Sequence, residues 1–284
     1  MTLSGLRNRI DRVLRRLTLT PAPPAGGEAE DLSIVGLRDT MEAGWFDPYG
    51  NELFHGFPID ADDVVLDVGC GDGGNLNYCA RRGAALILVD VDPDALAAAV
   101  ERLAGAPART ITPVVSDANP LPIADGTATR IISTEVIEHV DDPAQFLREL
   151  ARVGQPGALY LLTVPHPVSE HLQERLAAPS YFEKPNHVRI IEQDAFVRMV
   201  EDAGLVVESR AHDGFYRAMW LNLFWAANVD FTTPHHPLLD NWARTWGALL
   251  ETEGGLEVKR VLDDVMPRSQ LIIARKPNPS ATEP

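Results

Sequence analysis

The sequence predicts an α/β protein built on a mainly parallel β-sheet, and two observations support this. From Val64 onward, short apolar runs alternate with helical stretches, which is typical of repeated βα units. A glycine-rich turn, CGDGG, directly follows the first of these runs. The 284 residues can bury one sizeable core, and 45% apolar and 23% charged residues are ordinary values for a globular protein.

The first 31 residues differ from the rest. Within residues 1–18, apolar side chains recur at steps of three and four with five arginines between them, which predicts a basic amphipathic helix over 3–17. Its apolar positions are Leu3, Leu6, Ile10, Val13, Leu14 and Leu17. We expect this helix to pack on its own domain or on a protein partner such as a second subunit, with peripheral membrane binding as the alternative. Residues 19–31 predict a flexible linker.

The remaining elements follow from the alternation of strand and helix patterns. We predict strands at 64–68, 86–90, 111–115, 130–134, 159–164, 205–211 and 269–275. We predict helices at 73–82, 93–104, 143–153 and 193–203, with Gly83 and Gly204 as C-terminal caps. The main domain then spans 32–276, with cap elements at about 40–58 and 213–265, and 277–284 form a loose tail. The second cap element is rich in aromatic residues.

The glycine turn predicts a ligand that approaches the backbone closely. Gly69, Gly71 and Gly74 satisfy the pattern G-x-G-x-x-G, and Asp90 follows Gly69 by 21 positions. By itself this pattern is compatible with a nicotinamide dinucleotide. A pyrophosphate, however, requires a turn free of acids.

Two acids occupy this region, because Asp67 precedes the first glycine and Asp72 lies within the turn. They would repel a pyrophosphate but attract S-adenosylmethionine, which carries an ammonium and a sulfonium cation and no phosphate. Helix capping is an alternative role for these acids, and it suits Asp72 better than Asp67.

Five motifs then occur in order over about residues 60 to 165: DVGCGDGG, LVDVDPDAL, SDANPLP, STEVIEHVDDP and RVGQPGALYLLTVP. This series resembles class I S-adenosylmethionine-dependent methyltransferases, in particular ubiquinone-pathway O-methyltransferases and the type 11 and 12 methyltransferases. The resemblance implies a Rossmann-like, seven-stranded, mostly parallel sheet with helices on both faces and an antiparallel last strand. In this chain a helical, aromatic cap would be added to it.

The resemblance also implies which residues bind S-adenosylmethionine. Asp67, Gly69 and Gly71 would face its methionine portion, and Asp90 would bind both ribose hydroxyls. The other implied contacts are Val91 against the adenine ring, Asp117 and Ala118 at the adenine amino group, and Thr134 near the ribose and methionine.

A second constellation concerns the chemistry of transfer. Glu135, Glu138 and His139 form E-x-x-E-H, whose members would share one helical face, and His187 follows later. This set resembles the magnesium ligands of ubiquinone-pathway O-methyltransferases and of small-RNA 2′-O-methyltransferases. The alternative is a metal-free site in which His139 lies near the sulfonium and Glu138 is held by local hydrogen bonds. His139 and His187 are the candidate catalytic residues, as a base or as orienting groups.

We therefore expect a methyltransferase that acts on a small-molecule acceptor, with oxygen as the favoured atom. The alternatives are a non-catalytic methyltransferase-like binding subunit and an NAD(P)-dependent oxidoreductase, the latter disfavoured by Asp67 and Asp72. The formal net charge of −16 opposes binding of DNA or long RNA. Only two cysteines, Cys70 and Cys79, and the lack of a secretory pattern predict a cytoplasmic protein.

Overall fold

A computed structural model describes residues 32–229 and 236–278, and within these ranges the chain forms two compact units. The first unit consists of the described part of Met1–Phe46 together with His166–Ile190 and His212–Ser269. The second unit consists of Asp47–Pro165, Ile191–Ala211 and the described part of Gln270–Pro284. The predicted helix at 3–17, the linker at 19–31 and the tail beyond residue 278 lie outside the described residues.

A seven-stranded sheet is the centre of the second unit. Its strands are β3 (Val64–Val68), β4 (Ala85–Asp90), β5 (Thr110–Val115), β6 (Ala128–Thr134), β7 (Gly154–Pro165), β8 (Val206–Asp213) and β9 (Ser269–Arg275), preceded by the hairpin of β1 (Glu52–Phe54) and β2 (Phe57–Pro58). The order is β5-β4-β3-β6-β7-β9-β8. Strands β3 to β7 pair in parallel and the last strand is antiparallel, which confirms the predicted fold. Strand order reverses beside β3, where such sheets bind ligands.

The helices are α1 (Ser33–Glu42), α2 (Gly74–Arg81), α3 (Pro93–Arg102), α4 (Pro143–Val153), α5 (Pro167–Leu176), α6 (Gln193–Asp202), α7 (Phe215–Ala227), α8 (Pro237–Glu251) and α9 (Gly255–Val265). Helices α3 and α4 begin in the same way, with an aspartate cap followed by proline. Asp92 accepts a hydrogen bond from the Asp94 amide, and Asp142 accepts one from the Gln145 amide. Both helices begin at the predicted residue.

The core of the second unit lies between the sheet and its helices. Helix α4 buries Phe146, Leu147 and Leu150 against it, and α6 buries Phe196 and Val200. Their spacing of three and four residues is the pattern from which both helices were predicted.

Aromatic side chains form the core of the first unit. Trp220 and Phe224 of α7 belong to one buried cluster, and Tyr216 and Trp246 belong to another. The aromatic residues of the predicted cap at 213–265 are thus mainly packing residues. Among the described residues, no helix is long and apolar enough to cross a bilayer.

Candidate cofactor and acceptor site

The glycine turn that follows β3 has a backbone that only glycine adopts easily. Gly69 has a φ of 78° and Gly71 a φ of 52°. A Cβ atom on Gly69 would lie 2.3 Å from Cγ2 of Val136, so a side chain is excluded by space as well as by conformation. The turn therefore presents bare backbone, as the sequence predicts.

Asp90, at the end of β4, is tied to this turn. Its Oδ2 accepts a hydrogen bond from the Gly71 amide at 2.8 Å, and its Oδ1 accepts one from the Asp92 amide at 3.0 Å. Val91 follows and is 42% exposed, so an apolar surface is open beside the carboxylate. A carboxylate next to an exposed apolar residue is suited to a ribose and the base attached to it.

The two acids near the turn differ from each other in the structure. Asp67 is buried in β3, where it is 1% exposed. Asp72 forms an ion pair with Arg102 of α3, with Oδ2 and Nη2 2.6 Å apart. Asp72 does not cap α2 either, because the residue at that cap is Gly73. Both predicted roles for Asp72 need correction, because its charge is balanced by Arg102 and its side chain does not cap α2.

The segment after β5 contains the two residues predicted at the adenine. Asp117 accepts a hydrogen bond from the Asn119 amide at 3.0 Å, and Ala118 has a φ of 61°. This local turn leaves Asp117 exposed and Ala118 buried. The Ala118 amide donates a hydrogen bond to the hydroxyl of Ser116 at 3.0 Å, so contacts between neighbouring residues hold this turn.

Two side chains of α4 hold the rest of this segment. Glu149 accepts a hydrogen bond from the Leu121 amide at 2.9 Å, while Arg152 donates to the carbonyls of Leu121 at 2.9 Å and Ile123 at 2.8 Å. The two side chains also bind each other through two hydrogen bonds of 3.0 and 2.7 Å. Hydrogen bonding to Arg152 lowers the pKa of Glu149, so its carboxylate is charged at neutral pH.

Residues after β6 form the predicted E-x-x-E-H constellation, but on a turn and not on a helix. Glu135 has a φ of 55°, which breaks helical geometry at its first member, and the His139 amide donates to the Val136 carbonyl at 2.9 Å. The prediction that these residues share one face of a helix is therefore wrong. The preceding Thr134 lies at the strand end, where its hydroxyl accepts from Asn75 at 3.3 Å.

Within this turn, Glu138 and His139 come together. Nε2 of His139 lies 3.4 Å from Oε1 of Glu138, which is only 1% exposed. Neither carboxylate oxygen of Glu138 accepts a hydrogen bond from any described residue. Glu135 is engaged differently, because its Oε1 accepts from the Thr163 hydroxyl at 2.9 Å.

His187 belongs to the first unit, where its partner is Glu170. Nδ1 of His187 lies 2.6 Å from Oε2 of Glu170, and the two residues are 5% and 1% exposed. Burial would by itself raise the pKa of Glu170, but His187, Arg268 and Tyr181 outweigh it and lower the pKa. His187 also lines a groove that is open to solvent and has a volume of about 370 Å³. The other lining residues are Glu174, Phe182, Val188, Arg189 and Ile190.

A second polar cluster in the first unit holds buried charges. Nζ of Lys259 lies 2.6 Å from Asp263 and 3.2 Å from Asp39, which also accepts from the indole of Trp246 at 2.7 Å. Burial raises the pKa of Asp39. Burial would lower the pKa of Lys259, but its two acid partners outweigh burial and raise it.

Sequence reasoning missed three of these groups, namely Glu170, Arg152 and the Lys259 cluster. Glu170 lies on α5, in a stretch that has no apolar periodicity, and Arg152 contacts residues about 30 positions away. Only the pairing of Glu149 with Arg152, three residues apart on a predicted helix, was a signal available in the sequence.

Comparison with known proteins agrees with this geometry. A family model described as a methyltransferase domain matches residues 66–162. Norajmaline N-methyltransferase of Rauvolfia serpentina is 27% identical over 70% of this chain and 67% of its own length. The chloroplastic probable tocopherol O-methyltransferase of Oryza sativa subsp. japonica is 27% identical over 76% of this chain and 67% of its own length.

A solved structure shares the fold. Geranyl diphosphate methyltransferase in complex with S-adenosylmethionine superimposes with a TM-score of 0.56 at 15% identity, covering 89% of this chain and 92% of that one. Fold, motif series and relatives define the class: the chain is a class I S-adenosylmethionine-dependent methyltransferase. It is therefore an enzyme, and its cofactor is S-adenosylmethionine.

Proposed function

We propose that this enzyme methylates a small-molecule acceptor, with oxygen as the favoured atom, and that His187 accepts the proton that the acceptor loses. One observation supports the proposal above others: a buried imidazole, paired with a carboxylate, lines a groove open to solvent, with a volume of about 370 Å³. A groove of this volume has room for part of a small molecule. Of the two relatives named above, one is named as an N-methyltransferase and the other as a probable O-methyltransferase.

For the cofactor we propose the residues that the sequence predicts. Their geometry in the second unit supports the assignment, since a side-chain-free turn, a fixed carboxylate and an exposed apolar residue follow one another there. The proposed set is Asp67, Gly69, Gly71, Asp90, Val91, Asp117, Ala118 and Thr134.

When bound, S-adenosylmethionine would supply a methyl carbon activated by a sulfonium leaving group. We propose that the cofactor residues orient this donor, since alignment of the reactants supplies much of the rate of methyl transfer. We propose His187 as the group that takes the proton of an acceptor hydroxyl.

For the predicted magnesium ion, we propose Glu138 and His139 as the residues that would hold it. Both oxygens of the buried Glu138 accept no hydrogen bond from described residues, which suits a cation ligand. Of the other two predicted ligands, Glu135 uses Oε1 to accept a hydrogen bond from Thr163, and His187 stays a predicted ligand.

Removing divalent metal tests this part directly. We expect magnesium to bind the wild type in calorimetry and to bind Glu138→Gln more weakly, because the amide replaces a charged ligand with a neutral one. Turnover should fall in excess chelator and return with magnesium. Turnover that is indifferent to chelator and to added magnesium would remove the metal from the proposal.

The proposed function is tested by binding and turnover. We expect calorimetry to show binding of S-adenosylmethionine and of its demethylated product, and no binding of NAD. Methyl transfer is then measured from labelled cofactor to a panel of catechol, tocopherol and norajmaline. Binding of NAD in place of the sulfonium compound would favour the oxidoreductase. Cofactor binding without transfer to any acceptor, in a wider screen of phenols and amines as well, would favour the non-catalytic subunit.

Partners and location stay predictions. With a net charge of −16 we propose no DNA or long RNA partner, and we propose that residues 3–17 dock on protein or on a membrane surface. A cytoplasmic location is proposed from the cysteine usage alone.

A further inference from the structure

We propose that residues 3–17, the predicted N-terminal helix, dock on an exposed apolar stripe of α9 in the same chain. The stripe consists of Val258, Val261 and Val265. It belongs to the first unit, and none of its residues is in the proposed cofactor set or lines the groove at His187. The inference is therefore independent of the acceptor, the cofactor and the metal.

The stripe is an exposed apolar face of a helix. Val258, Val261 and Val265 are 45%, 53% and 65% exposed, and they follow one another at steps of three and four residues. This spacing places all three on one face of α9. A single exposed valine is ordinary, but a row of three on one helix face is typical of a contact surface.

The predicted helix carries a seam with the same spacing. Five of its apolar residues recur at alternating steps of three and four, namely Leu3, Leu6, Ile10, Val13 and Leu17. Two helices with this spacing pack along their length at a crossing angle of about 20°. With the helices antiparallel, the steps match at three successive positions, where Leu6, Ile10 and Val13 meet Val265, Val261 and Val258 in that order.

Charge favours the antiparallel orientation. Glu257 and Asp264 border the stripe on one side and are seven residues apart. Arg9 and Arg16 are also seven residues apart and border the seam of the predicted helix on the corresponding side. Antiparallel packing brings these two sides together, with Arg9 opposite Asp264 and Arg16 opposite Glu257.

Both acids have exposed partners in the structure. Glu257 lies 3.2 Å from Arg260, and Asp264 lies 2.9 Å from His212. Exposed pairs of this kind are weak, so they hold the two acids only loosely. The charge contrast extends to the whole chain, because residues 3–17 contain five of its 25 basic residues but one of its 41 acids.

The connection between the two helices favours docking within one chain over docking on a second copy or on a membrane. The described residues begin at Leu32, which packs in the same cluster as Leu256 and Leu262 of α9. Residues 18–31 separate Leu32 from the predicted helix, and a flexible chain of this length spans about 20 Å. Helix α9 itself is ~16 Å long. The tether therefore holds the predicted helix near the stripe at an effective concentration of about millimolar.

The first test is a disulfide cross-link in the full-length protein with Ile10→Cys and Val261→Cys. These positions face each other in the proposed pairing, which brings their Cα atoms within the range of a disulfide. The matched control combines Ile10→Cys with Arg260→Cys, because Arg260 has the same tether but lies about 100° further round α9. We expect the Val261 pair to close within one chain at least about tenfold faster than the Arg260 pair. Cys70 and Cys79 are both buried, so they interfere little.

The second test is hydrogen exchange at the amides of residues 3–17, read by mass spectrometry. We expect exchange at least about tenfold faster in Val261→Lys than in the wild type, because a lysine is not easily buried against the seam and repels its arginines. Val206→Lys is the control. Val206 is 54% exposed on β8, outside the stripe, and we expect its replacement to change exchange by no more than about twofold.

Three results would overturn the inference. One is equal closure of the Val261 and Arg260 pairs. Another is cross-linking between two chains at a rate that rises with protein concentration, which would assign the stripe to a second copy. The third is protection of residues 3–17 that appears only with phosphatidylserine vesicles and survives Val261→Lys, which would assign the helix to a membrane surface. None of these measurements requires methyl transfer, so the proposed function stands or falls separately.

Discussion

The Asp90 carboxylate is already used by two backbone amides, those of Gly71 and Asp92. A carboxylate has about four acceptor positions, so each oxygen retains one for a ligand. Two hydroxyls on adjacent ribose carbons match the two remaining positions. The same side chain can therefore shape the glycine turn and bind the ribose.

This double use makes Asp90→Asn informative. The asparagine keeps one acceptor oxygen but loses the charge and the second acceptor, so we expect the dissociation constant for S-adenosylmethionine to rise at least about tenfold, which is ~1.4 kcal/mol. Calorimetry measures it. Asp94→Asn is the control, because it removes the same charge from the exposed first turn of α3, and there we expect no more than about a twofold change. Equal affinities for the two variants would contradict the placement of the ribose at Asp90.

Asp67 and Asp72 lie beside the glycine turn as predicted, but the ion-pair partner of Asp72 was not predicted. The sequence locates both acids beside the turn, since position along a strand and a glycine pattern are local properties. The partner of Asp72 is Arg102, 30 positions later, and this pairing depends on how α3 packs. A count of charges near a motif therefore overstates the local potential whenever a distant residue neutralises one of them.

Helix α4 connects the core of the second unit to the predicted adenine segment. Its apolar face is buried, and its last turn carries Glu149 and Arg152, which hold the backbone of residues 121–123. The helix thus restrains the backbone that follows Asp117 and Ala118. A segment restrained by its own protein loses less entropy on binding.

We therefore expect Arg152→Lys to weaken cofactor binding although Arg152 lies outside the proposed cofactor residues. A lysine cannot reproduce the forked contacts of the guanidinium, and the loss of about 1 kcal/mol raises the dissociation constant about fivefold. Hydrogen exchange at the Leu121 amide should become faster. Arg148→Lys, one turn earlier on the same helix, changes only an exposed bond to Gln145 among described contacts and should have no such effect. Faster exchange with unchanged affinity would show that order in this segment is not linked to binding.

The four helices predicted from apolar periodicity, α2, α3, α4 and α6, were predicted within a few residues. Helices α1 and α5 were not predicted, and α7, α8 and α9 were predicted only as a helical cap without bounds. The buried residues of α5 include Ser169, Glu170 and Gln173, so the helix faces the interior with polar groups and shows no hydrophobic period. The helical conformation predicted around Glu135 is wrong for another reason. The Glu135 amide donates to the Thr163 carbonyl of the neighbouring strand, and this tertiary contact accompanies the positive φ. Such contacts are not local, and no periodicity reports them.

Across the whole chain, the acids exceed the basic residues by 16, and several of them are buried in the first unit. Asp213, which is half-buried, is informative as well. Its Oδ2 accepts from the indole of Trp45 at 2.7 Å, while Arg217, Asp263 and Lys259 are the charged groups around it. Burial raises the pKa of Asp213 to about 6, and the Trp45 hydrogen bond only partly opposes this. The folded protein therefore holds a proton on Asp213 more tightly than the unfolded chain does.

This shift has a definite sign in the stability of the protein. Between about pH 4 and pH 6 the folded state binds more protons at Asp213 than the unfolded state, so the free energy of unfolding falls as pH rises through this range. Above pH 6 the full cost of the buried charge is present, about 1–2 kcal/mol after allowance for partial exposure. Asp213→Asn retains an oxygen for Trp45 without that charge. We expect the stabilising effect of Asp213→Asn to be larger at pH 8 than at pH 4.5 by about this amount.

Denaturant unfolding at the two pH values, followed by tryptophan fluorescence, measures this difference. Other acids, including Asp39, titrate in both proteins, so the comparison of variant with wild type isolates Asp213. Asp94→Asn again serves as the exposed control, and its effect should be nearly the same at both pH values. Desolvation costs more free energy for a charged carboxylate than for a neutral carboxyl group, so the effect of Asp213→Asn should depend on pH. An equal change in stability at pH 4.5 and pH 8 would contradict a raised pKa at Asp213.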